Sequence, residues 1–148
     1  MIELYLERHY KTTPPRFEID INGQAKTCHL IDQNPTSHGD RLKVGIDGTE
    51  VCEQNSLHVF FTNKDHQDDN WIEIKNVVIN GIGLDWLLYQ CTEFRHDMPA
   101  EWLDHMRQKN IEILEIYRPG TVLRLAGKTT IRWSEPLWLY KTTEMAAS

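Results

Sequence analysis

No stretch of the 148-residue chain is apolar over the ~20 residues that a bilayer-spanning helix needs. Its first residues alternate apolar with polar side chains and lack a basic segment followed by an apolar one, so no secretory signal is expected. Cysteine is sparse. Cys28, Cys52 and Cys91 are odd in number and form no Cys-x-x-Cys pair, which argues against a disulfide framework and a zinc–thiolate site. The expectation is three buried small hydrophobes in a protein made in a reducing compartment. Basic residues are outnumbered, 16 Lys and Arg against 22 Asp and Glu, for a net charge of -6. Broad contact with a phosphate backbone needs a basic face, so nucleic acid is not an expected partner. Glycine is thin too, with 8 residues and no Gly-rich phosphate loop. What is present, 40% hydrophobic and 26% charged residues, is ordinary for one soluble domain over residues 1–148.

Alternation of period two dominates that domain. Ile2, Leu4 and Leu6 alternate with Glu3, Tyr5 and Glu7. Pro14-Pro15 breaks the pattern, and Phe17, Ile19 and Ile21 resume it up to Asn22-Gly23, a strong hairpin signal. Ala25 to Ile31 reads as the return strand and Asp32 to Gly39 as loop. Leu42, Val44 and Ile46 lead to Asp47-Gly48, a second hairpin signal, and a short return through Val51 leads to a strand over Leu57 to Phe61. Trp71 to Ile79 is the next strand. Its apolar set shifts from Ile72 and Ile74 to Val77 and Ile79, which calls for a bulge near Asn76 or burial on both faces. Asn80-Gly81 turns it into an alternating Ile82, Leu84, Trp86 and Leu88. One short helix is expected near 98–109, with Pro99 and Glu101 at its start, a Trp102, Leu103 and Met106 stripe, and Asn110 as left-handed cap. Strands follow at Ile111 to Ile116, Val122 to Leu125, Thr129 to Trp133 and Leu137 to Tyr140, then a loose tail from Thr142 to Ser148. The fold class is all-β: an antiparallel β-sandwich, jelly-roll-like, with that one helix.

Between the Leu57 and Trp71 strands lies an oxygen-rich loop, with Asn63, Asp65, Gln67, Asp68, Asp69 and Asn70. Hard cations take such oxygens, although the spacing is not that of an EF-hand. Acidic loops are more often solvated turns whose Asp and Asn serve the backbone.

The string FTNKDHQDDNWIEIKNVVING resembles a segment of the calcium-dependent xylan-binding carbohydrate-binding modules and related β-sandwich domains. Those carry Phe-x-Asn-Asp, a loop, Asp-Arg-Asn-Leu, an alternating strand and Asn-Gly. Phe61 and Asn63 match the start, Asp68, Asn70 and Trp71 the middle, and Asn80-Gly81 the end. The match is close over this string and loose over Ile2 to Gly81. Lys64 stands where the family has aspartate, with Asp65 beside it, and Asp69 replaces the arginine. The resemblance implies a jelly roll, saccharide binding, and calcium held by Asp65, Asp68, Asp69 and Asn70. The residues leave a second reading open, in which Asp68 and Asn70 cap the loop and orient the strand.

Of five tryptophans, Trp71 adjoins the loop and, with Tyr5, is the expected contact for a sugar ring. Trp86, Trp133 and Trp138 are expected in the core, and Trp102 under the helix. The seven histidines form no metal-binding pair in sequence; His66 lies close to Asp65 and Asp68, as a transition-metal ligand or an exposed loop residue. His96 and Cys91 match no nucleophile signature. Glu112, Glu115 and Glu135 could serve a glycosidase only across a cleft. The reading is a non-catalytic, calcium-assisted carbohydrate-binding module and not an enzyme. The alternative is a structural or assembly protein, for example a virion or particle component, built as a homo-oligomer.

Overall fold

The computed structural model describes residues 1–48 and 51–147, apart from the side chains of 145–147. Twelve strands build it among the described residues: β1 (Ile2–His9), β2 (Phe17–Ile21), β3 (Gln24–Lys26), β4 (Cys28–Thr36), β5 (Gly39–Ile46), β6 (Gln54–Phe61), β7 (Trp71–Ile79), β8 (Ile82–Gly83), β9 (Thr92–His96), β10 (Ile116–Tyr117), β11 (Val122–Leu123) and β12 (Gly127–Ser134). A 3-10 turn covers Asp85–Tyr89, and two helices, α1 (Ala100–Gln108) and α2 (Leu137–Ala147), complete the order. None of the described helices is long and apolar enough to cross a membrane.

Two antiparallel six-stranded sheets face one another. The first runs β11-β7-β1-β5-β4 with β8 beside β7, and the second β10-β9-β12-β6-β2-β3. Alternation supplies the core: Ile2, Leu4 and Leu6 of β1 and Leu42, Val44 and Ile46 of β5 face Leu57, Val59 and Phe61 of β6 and Ile131 and Trp133 of β12. The two β7 sets are both buried because β1 pairs Tyr5 with Asn76 and Leu6 with Ile74. Lys75 is thus the extra residue of a bulge, and the pleat changes phase there. Asn22 and Gly23, and again Asn80 and Gly81, have positive φ, as the hairpin signals require.

Several local expectations are corrected. Asp47-Gly48 does not close a hairpin, since β5 and β6 lie in different sheets; Thr49 and Glu50 fall outside the described residues. Asp32 to Thr36 is strand, not loop. It forms the edge of the first sheet, where Pro35 has no second ladder to serve. Leu84, Leu87 and Leu88 are buried at helical spacing, so this segment turns as a 3-10 helix and Trp86 faces outward at 37% exposure. Of the Ile111–Ile116 region only Ile116 pairs as strand, together with Tyr117 beyond it. Leu137–Tyr140 and the expected loose tail form α2 up to Ala147; Ser148 lies outside the described residues. Pro136 precedes that helix and Glu135 Oε2 accepts the Leu137 N–H at 3.0 Å, a start signal hidden by the apolar run. The Trp102, Leu103 and Met106 stripe of α1 is only half-buried. Asn110 caps α1 in the left-handed region, with φ 59°. Cys52 is exposed and Cys28 and Cys91 half-buried, so none is a fully buried hydrophobe.

Candidate functional site

The β6–β7 loop folds onto the segment that follows β1. One Asp68 carboxylate receives the N–H groups of Lys11 at 3.1 Å, Thr12 at 3.0 Å and Thr13 at 3.0 Å, and the Thr12 hydroxyl at 3.2 Å. Asp65 Oδ2 accepts the Thr13 hydroxyl at 2.8 Å, while its Oδ1 takes the N–H groups of Gln67 and Asp68 at 3.0 and 3.3 Å. Asn70 is fully buried. Its Oδ1 accepts the Asp65 N–H at 2.7 Å, and its Nδ2 donates to the Thr13 and Asn63 carbonyls, both at 3.1 Å. The Lys64 ammonium, its side chain 5% exposed, donates to the Asn70 carbonyl at 2.8 Å and to Asp69 Oδ1 at 3.0 Å. Asp69 otherwise points into solvent, its backbone at φ 52°.

Three of the four proposed ligands therefore converge, but on backbone N–H groups and not on a shared vacant point. Calcium takes about six to eight oxygens with lone pairs free for it. Here those lone pairs are spent, and the cation within reach is Lys64. The donor set as folded does not fit calcium. The capping reading describes the geometry. Its electrostatics agree: the Thr13 hydroxyl and the N–H groups of Asp68 and Gln67 hold the Asp65 carboxyl below its ordinary range. At Asp68, loss of solvent alone would raise the carboxyl. The N–H groups of Thr13, Thr12 and Lys11 together outweigh it, and the net direction is down.

Tyr5 and Trp71 both stand on the outward face of the first sheet, but apart. Trp71 pairs with His9 across β1, and Tyr5 is four residues back, roughly 14 Å along the strand. The His9 ring stacks on the indole at 3.7 Å and 3°, and Arg124, just past β11 on the other side of β7, lies 4.1 Å from its centroid. With neighbours from both flanking strands against it, Trp71 offers no broad free face to a sugar ring.

A different aromatic pair does line a cleft. Trp86 and Trp138 flank a hollow of about 380 Å³ with Ile82, Lys141 and Thr142. Trp138 is 61% exposed, against the core position expected for both indoles. Lys141 fixes the walls: its Nζ donates to the Gly83 carbonyl at 2.6 Å and Asp85 Oδ2 at 3.2 Å, tying α2 to the 3-10 turn. Asn76, beside the β7 bulge, donates to Asp85 Oδ1 at 2.9 Å and accepts the Asp85 N–H at 3.0 Å. Asn76 and then Lys141 hold the Asp85 carboxyl below its ordinary range. A larger cleft of about 830 Å³ opens between the edges of the two sheets, walled by Phe17, Ile19, Leu42 and Val44. Arg8 at its floor is spent on Asp40, in a bidentate pair at 2.7 and 2.6 Å.

The remaining candidates are absorbed structurally. Glu135 ties α2 to the indole N–H of buried Trp133 at 3.1 Å, and Glu115 pairs with Arg95. Burial pushes the Cys91 thiol up to about 11, far from a thiolate nucleophile. His66 is exposed and stacks on Trp102 at 5.8 Å, bringing α1 against the loop. Comparison with protein-family models, curated proteins and solved structures gives no match.

Proposed function

We propose that this is a non-catalytic β-sandwich that binds a saccharide, at the Trp86–Trp138 cleft and without calcium. The observation that carries the reading is two exposed indoles flanking one hollow beside Lys141 and Thr142. Sugar rings have apolar faces that pack on indoles while their hydroxyls take hydrogen bonds from polar neighbours. A cleft already braced by Lys141 and Asp85 loses little freedom on binding. A glycan array followed by calorimetry tests it: one class of glycan is retained, Trp138→Ala and Trp86→Ala abolish retention, and a chelator changes nothing. Retention unchanged in both variants would remove the cleft from the account.

The second reading, an assembly protein, draws on Leu139. This residue follows Trp138 on α2 and is itself 48% exposed, a second large apolar side chain on the surface of the same helix. Light scattering on the wild type and on Leu139→Lys separates the two: a symmetric oligomer that Leu139→Lys dissociates favours assembly, a monomer favours saccharide binding.

A further inference from the structure

We infer that Glu7, His9 and Glu73 form a binding site for a transition-metal dication of the zinc class, on the outward face where β1 meets β7. Glu7 and Glu73 are direct partners across the two strands. His9, two residues on from Glu7, shares its face of the pleat. One ligand atom from each of the three lies within 4.8 Å of the other two. In a tetrahedral zinc site the ligand atoms sit about 3.4 Å apart, so small rotations of the two Glu side chains suffice to close the set.

The imidazole supplies an independent observation. His9 Nε2 is buried and has no hydrogen-bond partner among the described residues. Its nearest acidic oxygen, Glu7 Oε1, is 3.9 Å away, beyond hydrogen-bond reach. A buried ring nitrogen normally finds a partner, and an unpaired one beside two carboxylates has the chemistry of a ligand. Trp71, stacked on the ring, fixes its plane, and Arg124 backs Trp71. One imidazole with two carboxylates suits zinc and its neighbours, whereas calcium and magnesium prefer oxygen alone. Three protein ligands leave a fourth position open.

Lys75 is the competitor. Its ammonium lies 2.9 Å from Glu73 Oε2 and 3.3 Å from Glu7 Oε2, so it already bridges the carboxylates. The side chain is 49% exposed and sits at the bulge, where it can swing into solvent as a metal enters. Arg41 Nε stands further off, 3.9 Å from Glu7 Oε1. This arrangement makes a prediction that a plain ion-pair network does not: removing Lys75 strengthens metal binding.

The test is calorimetry with zinc chloride on the full chain, with cobalt(II) as spectroscopic probe and quenching of tryptophan fluorescence as local readout. The expected result is one zinc per chain, a tetrahedral cobalt spectrum, and quenching by cobalt(II) that is diminished in Trp71→Phe. Glu73→Gln and His9→Gln weaken binding by at least about tenfold, more than loss of an outer-shell partner would, and Lys75→Gln strengthens it. Circular dichroism confirms that each variant is folded, and Glu73→Gln, which keeps the shape of the side chain, stands in if His9→Gln is not. No heat with either the wild type or Lys75→Gln would overturn the proposal. So would binding that Glu73→Gln leaves unchanged, since the metal would then sit elsewhere.

Discussion

Replacing Asn70 by aspartate separates the capping loop from a calcium loop, because the two demand opposite results. Asn70 is fully buried and donates from Nδ2 to the carbonyls of Thr13 and Asn63 while Oδ1 accepts the Asp65 N–H. Aspartate has the same shape and keeps the acceptor. It loses both donors and sets a carboxylate oxygen against two carbonyl oxygens. Each carbonyl left without its donor costs about 1–3 kcal/mol, so the substitution should destabilise the fold by about 3–5 kcal/mol. For a chain of this size that is a fall of about 10–15 °C in Tm. Folding would favour the protonated carboxyl of the variant, raising its folded pKa. The deficit should therefore be small in acid and grow as pH rises through that value. Thermal and urea unfolding of wild type and Asn70→Asp, with calcium and with chelator, make the measurement. In a calcium site the added carboxylate would tighten the ion, and millimolar calcium would restore the variant. An Asn70→Asp protein as stable as wild type, or one rescued by calcium, would refute the reasoning.

Other outcomes follow from the same geometry. Asp68 has a depressed pKa, so its stabilising effect is present above the ordinary carboxyl range and is lost as pH falls through the folded value. Asp68→Asn should therefore lower Tm at neutral pH and flatten the acid limb of a Tm-against-pH curve. Asp40→Ala strands Arg8 among the Phe17 and Leu42 walls, and should cost about 3–5 kcal/mol in urea unfolding; Arg8→Met with Asp40→Leu should recover most of it. Gly39→Ala would place a Cβ 1.9 Å from the Arg8 carbonyl, at φ +155°, so the variant should fail to give a cooperative melt. Trp138→Ala, at a largely exposed position, should change Tm by less than about 2 °C while abolishing glycan retention.

The sandwich was legible in the order of residues because strand burial has a period of two that needs no knowledge of the partner. Ile2, Leu4 and Leu6, the Asn22-Gly23 and Asn80-Gly81 turns, and the phase change in β7 all declare themselves locally, through pleat geometry and positive φ. The acidic loop was visible as composition and as a resemblance. Whether its oxygens face an ion or N–H groups depends on Lys11, Thr12 and Thr13, more than 50 residues away, and only the docking of that segment decided it. Trp86 and Trp138 looked like core because an apolar run carries no address. Leu84, Leu87 and Leu88 took the interior at helical spacing and left Trp86 outside, while α2 turned Trp138 toward the same hollow. Trp71 lost its faces to His9 and Arg124 because strand pairing set them on either side of it. Hydrophobic periodicity is a property of each segment by itself. The convergence of side chains is a property of which segments become neighbours.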